Sequence, residues 1–139
     1  MARPTSFRLP EELLTRLVDA SNVSGTTVTA LVTTILDEGL KTKRFPGVVY
    51  RDGPVGRRAG LIGGPDVWEI VRDLRRTPGR GMKRIEHLAD EIGMPVTRVR
   101  LAVDFAAEYS DEITALIEAD EQAAERVRRL VDQRERLLS

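Results

Sequence analysis

Hydrophobic positions along the chain change their period several times, and each change predicts an element. Thr5-Ser6-Phe7-Arg8-Leu9 alternates, with Phe7 and Leu9 on one face and Ser6 and Arg8 on the other, as a half-buried strand does. Pro10 ends it, because proline cannot donate to a ladder but suits a first helical turn, and Glu11 and Glu12 follow where a helix dipole favours carboxylates. Leu13, Leu14, Leu17 and Val18 then form a helical stripe, which Ser21 to Gly25 interrupts with turn formers and a glycine suited to positive φ. Thr26 or Thr27 is placed to cap a second helix. In it Val28, Leu31, Val32, Ile35, Leu36 and Leu40 recur at helical spacing, up to the basic end Lys41-Thr42-Lys43-Arg44.

The strand has no sequence-local partner. Alone it would leave its backbone groups unpaired and Phe7 and Leu9 half exposed, so the least costly remedy is pairing with the same strand of a second copy. The pattern therefore predicts a homodimer. Its two-stranded ribbon would turn Phe7 and Leu9 inward and present Ser6 and Arg8 twice on the outside, in a shape that fits the major groove of DNA.

From Phe45-Pro46-Gly47 onward the character changes. Glycines at 53, 56, 60, 63 and 64 mark a hairpin, with Val48-Val49-Tyr50 and Ala59-Gly60-Leu61-Ile62 as strands around Asp52-Gly53-Pro54, and with Arg57 and Arg58 exposed. A phosphate loop is excluded there, since no Gly-Lys-Ser/Thr follows and no long apolar strand precedes. Pro65 to Val71 begins a helix with Asp66 near its cap, Val67, Ile70, Val71 and Leu74 facing inward and Trp68 in the core. After the loop Thr77 to Gly81, Ile85, Leu88, Ala89 and Ile92 predict one helix, Gly93 and Pro95 a tight turn, and Val96, Val99, Ala102 and Val103 the next. Ala89, Gly93 and Val99 have the spacing of a helix-turn-helix, with Thr97, Arg98 and Arg100 outward at the start of its second helix, where such a unit meets bases. The same unit also serves as a protein-binding module. A long final helix is capped by Ser110, with Asp111 and Glu112 in its first turn and Ile113, Leu116, Ala123, Val127, Leu130 and Leu137 at three-four spacing.

Composition changes this picture in two ways. The 22 basic and 22 acidic residues cancel, yet they are separated: the balance is +1 over residues 1–50, +4 over 51–100 and −5 over 101–139. A basic front and an acidic end suit a protein that holds a polyanion with one part and a basic partner, or itself, with the other. With no cysteine and a single histidine, His87, neither a thiolate metal site nor a nucleophile-base pair can be assembled, so no catalytic residue, metal or cofactor is expected. No 18-residue apolar run or signal-peptide pattern is present, and the expected location is the cytoplasm, away from membranes.

Two resemblances sharpen the reading. Ser6-Phe7-Arg8-Leu9-Pro10-Glu11-Glu12-Leu13, with Gly25-Thr26-Thr27-Val28-Thr29-Ala30-Leu31-Val32, resembles the ribbon-helix-helix family of Arc, MetJ and CopG repressors. The resemblance implies that Ser6 and Arg8 read bases, helped by Arg3, and that the start of the second helix at Thr26, Thr27 and Thr29 grips a phosphate, as a helix N-terminus can. Pro4 departs from it, offering no side-chain hydrogen bond at the remaining outward position. Further on, Gly56-Arg57-Arg58, Asp66 to Val71, the helix-turn-helix and Tyr109-Ser110-Asp111-Glu112-Ile113 are similar to small VapB-like antitoxins, which implies a PIN-like ribonuclease toxin as partner and repression of a shared promoter.

The expectation is thus a mainly α chain with short β. Residues 1–44 would form a ribbon-helix-helix domain for dimerisation and double-stranded operator DNA. Residues 45–139 would form an antitoxin-like domain of hairpin, helix-turn-helix and long helix. Function would be that of an antitoxin and transcriptional autorepressor. A regulator without a toxin, using both domains on DNA, and a dimeric protein-binding adaptor are the alternatives.

Overall fold

The structure, a computed structural model, describes every residue except Val55. It is mainly helical with one small sheet: α1 (Glu11–Ser24), α2 (Val28–Arg44), β1 (Val48–Gly53), β2 (Gly56–Leu61), α3 (Val67–Arg76), α4 (Gly81–Ile92), α5 (Val96–Glu108) and α6 (Ser110–Leu138). The chain divides into two compact units, Met1–Arg44 and Phe45–Ser139. Among the described residues no helix is long and apolar enough to cross a membrane.

In the first unit, residues 1–10 carry no regular structure in the single chain. α1 begins at Glu11 after Pro10 and runs to Ser24, further than the turn formers from Ser21 suggest. Ser21 and Ser24 are helical with their hydroxyls bonded back to Val18 O and Ala20 O at 2.8 and 2.9 Å, so the side chains satisfy themselves on the helix instead of opening a turn. Gly25 ends the helix in the left-handed region at φ 68°, and Thr26 N–H closes the turn on Ser21 O. Thr27, not Thr26, caps α2: its Oγ1 accepts the Ala30 N–H at 3.1 Å. Ser21 is the one buried residue of this unit. The apolar faces of α1 and α2 therefore enclose no core of their own.

The second unit has a core. β1 and β2 form an antiparallel hairpin in which Val48 pairs with Leu61, Tyr50 with Ala59 and Arg51 with Arg58. The strands are longer than the apolar runs, and Ile62 falls outside them, exposed. Val48, Ala59 and Leu61 bury one face of the hairpin against Val67 and Ile70 of α3, Ile85, Leu88 and Ala89 of α4, Val99, Ala102 and Phe105 of α5, and Ile113 and Ile117 of α6. Ile92, at the end of α4, is exposed instead. Phe105 packs edge-on to Phe45 and Tyr50 and tilted to Tyr109. The Tyr50 hydroxyl donates to the Glu112 carboxylate at 2.9 Å, fixing the hairpin to the start of α6. Gly93 turns α4 into α5 at φ 66°, with Met94 N–H on Ala89 O at 2.9 Å. A single residue, Tyr109, separates α5 from α6. It stands at the cap position while Ser110 is already helical, so the expected serine cap is not formed.

Candidate nucleic-acid interface and the cleft at Trp68

The residues that sequence assigns to DNA lie in three places. Arg3, Ser6 and Arg8 are exposed in the irregular N-terminal segment, beside Phe7, which leaves 76% of its surface open, and Leu9. Among the described residues the segment has no ladder partner within one chain.

Thr26, Thr27 and Thr29 surround the start of α2. The first-turn N–H groups there have no intrahelical acceptors, and no acidic side chain occupies that turn, so the helix end keeps its partial positive charge for an anion. The Thr27 hydroxyl oxygen is used by the Ala30 N–H, which leaves its proton for an outside acceptor.

Thr97 and Arg100 are exposed near the start of α5, in the second unit. Arg98 differs from the outward orientation expected for it. Its guanidinium donates to the Ile62 carbonyl and packs beside Gly64, pinning the β2–α3 loop.

The most densely bonded polar group is one that the spacing only marks as a helix cap. Asp66 is 5% exposed, and its Oδ1 accepts from Arg51 Nη2 at 2.7 Å while its Oδ2 accepts from Arg58 Nε at 2.5 Å and from Trp68 Nε1 at 3.1 Å. Its N–H donates to Glu69 Oε1 at 3.1 Å, which secures the start of α3. Burial pushes the carboxyl up. The hydrogen bonds from Arg51 and Arg58, the Arg58 charge and the indole N–H together outweigh that and hold it below the ordinary aspartate value. Arg58, expected at the surface with Arg57, is thus mostly buried by its ion pair, whereas Arg57 reaches the exposed Asp52 at 3.2 Å. The signal that could have revealed this is the hairpin register, since two arginines directly opposite each other call for a shared anion.

Trp68 is half-buried rather than central to the core. Arg72 lies over its ring with Cζ 5.0 Å from the centroid, and bonds to Asp73 at 3.1 Å. Beside the indole is a cleft of about 370 Å³ between the hairpin, α3 and α6, walled by Trp68, Glu69, Leu116, Ala119, Asp120 and Ala123. No group of histidines and carboxylates suited to a metal occurs among the described residues. Comparisons with known protein families, with curated proteins and with solved structures find no match for this chain.

Proposed function

We propose that the protein is a homodimeric DNA-binding repressor with an antitoxin role. The first unit is a ribbon-helix-helix module that pairs two copies and contacts operator DNA, and the second unit holds a PIN-like ribonuclease toxin. One observation carries the DNA half of this reading: a unit of two amphipathic helices buries none of its apolar residues, and an alternating, unpaired segment precedes it. Phe7, Leu9, Leu13, Leu14, Val18, Ile35, Leu36 and Leu40 all remain exposed, so the unit lacks the core that a fold of its size needs. A second copy supplies both the missing core and the missing strand. The dimer then brings two sets of Ser6 and Arg8 to one surface, flanked by two α2 N-termini for phosphates.

Toxin capture rests on the resemblance of residues 45–139 to small antitoxins. The tether between Arg98 and Ile62 favours this over a regulator that uses both units on DNA, because it engages one of the three proposed base-contacting side chains within the second unit.

Gel-shift of the full chain and of residues 45–139 on the DNA upstream of its own reading frame tests the division of labour. The full chain should bind specifically and the truncated form should not; retained specific binding by residues 45–139 overturns it. Co-expression with a neighbouring PIN-like reading frame tests the second half, with relief of growth arrest as the expected result.

A further inference from the structure

The distal part of α6 carries an apolar stripe that nothing covers. Every residue from Glu121 to Ser139 is exposed, and Val127, Leu130, Leu137 and Leu138 each leave 60–85% of their surface open. At about 100° per residue, Val127, Leu130, Arg134 and Leu137 fall on the same line as Leu116, Ala119, Asp120 and Ala123. Those four form the α6 wall of the Trp68 cleft. One continuous stripe therefore begins inside the cleft and runs to the end of the helix.

The stripe is uneven in size and charge. Its cleft end holds the small residues Ala119 and Ala123 and the carboxylate of Asp120, whereas its distal end holds Leu130, Leu137, Leu138 and the guanidinium of Arg134. In heptad terms Asp120, Val127 and Arg134 share one seam position, and Ala123, Leu130 and Leu137 share the other. A parallel pair would stack Asp120 on Asp120 and Arg134 on Arg134. Reversing one helix removes both repulsions. It sets large side chains against alanines and carries Arg134 of one copy to the cleft of the other, whose wall holds Glu69, Arg58 with its partner Asp66, and Asp120, which lies 3.7 Å from Arg72 and is 42% exposed on its open side.

We propose that α6 pairs with α6 of a second copy as an antiparallel coil centred near Val127, each distal end closing the other copy's cleft at Trp68. No residue of the first unit takes part, so the pairing stands independently of the DNA-binding reading.

The absence of cysteine makes the test direct. Spin labels are placed singly on the full chain at Arg126→Cys and Ser139→Cys, and distances between copies are measured by double electron-electron resonance. The antiparallel pair should give a narrow distance below roughly 20 Å at 126 and one of about 35–40 Å at 139, from the rise of about 1.5 Å per residue. Short distances at both positions mean a parallel pair and overturn the proposal. So does the lack of a narrow distance at 126, or one that appears only when another protein is added. Arg134→Asp should abolish the short distance at 126 by facing Asp120, and Arg134→Lys should keep it. Indifference to Arg134→Asp also overturns the antiparallel arrangement.

Discussion

Arg51 stands directly opposite Arg58 in the β1–β2 ladder, and the two guanidiniums hold different oxygens of the same carboxylate, Asp66. Like charges so placed repel across a hairpin. Here the repulsion is answered from outside the sheet, by the residue that opens α3. The hairpin and the helix consequently stabilise each other, and the strongest tests of the second unit concern this contact.

Replacing Asp66 with Asn removes the charge that the two arginines share while nearly preserving shape. The loss should be about 2–4 kcal/mol, toward the lower end of what breaking a buried pair costs because both arginines keep some contact with water. Trp68 is the only tryptophan, so its fluorescence during urea unfolding of the full chain reports this unit. An unchanged midpoint would show that the ion pairs contribute nothing net.

The same carboxyl gives a pH dependence. Its folded-state value is depressed below the ordinary 3.8, so its contribution is fully present above that value and is lost as pH falls through the folded value. Urea midpoints measured from pH 6 downward should decline in the acid range below about pH 4. In Asp66→Asn the decline should be shallower.

Gly60 is required by its neighbour. A Cβ there would lie 1.8 Å from Arg51 Nη2, so Gly60→Ala must push the guanidinium off Asp66. A loss of about 1–3 kcal/mol is expected, comparable to breaking a charged hydrogen bond. In the background of Arg51→Met most of it should vanish, and additive losses in that double-mutant cycle would refute the mechanism.

The pairing proposed for the first unit can be tested apart from the one proposed for α6. In a chain already carrying Arg134→Asp, Phe7→Asp should weaken the remaining dimer at least about 100-fold, from roughly 1.5–3 kcal/mol per buried aromatic in each copy. Sedimentation across a concentration series reads this. A dimer that is indifferent to Phe7→Asp would remove the ribbon.

On DNA, Arg8→Ala should cost roughly 1–3 kcal/mol on the specific site and little on unrelated sequence. Thr27→Ala should weaken both, since it would remove the proposed phosphate contact and the α2 cap at once. Titrations on two sequences at two salt concentrations distinguish them.

The helices were legible wherever an apolar stripe met a recognisable stop. Gly25 and Gly93 end α1 and α4 in the left-handed region their sequence context suggests. Val67 and Ile70 are buried and Val71 and Leu74 pack partly against the core, as their spacing indicates. What periodicity could not carry is the destination of long polar side chains. Arg58 and Arg98 read as surface residues because they are charged and stand out of phase with the apolar positions beside them, but their partners Asp66 and Ile62 are set by the hairpin register and by the docking of α5. Caps within one turn of each other were equally ambiguous, and backbone geometry chose Thr27 over Thr26 and Tyr109 over Ser110. The expected strand at residues 5–9 is of another kind: a single chain leaves the segment irregular, and the pairing proposed for it requires a second molecule.

The shared carboxylate also bears on the order of folding. A two-stranded hairpin is marginal alone, and this one holds two cations face to face, so β1 and β2 have little reason to pair before α3 has presented Asp66. Helix formation at α3 and its collapse onto α5 would come first, with hairpin closure late. In kinetic terms, Arg51→Met and Asp66→Asn should speed unfolding far more than they slow refolding.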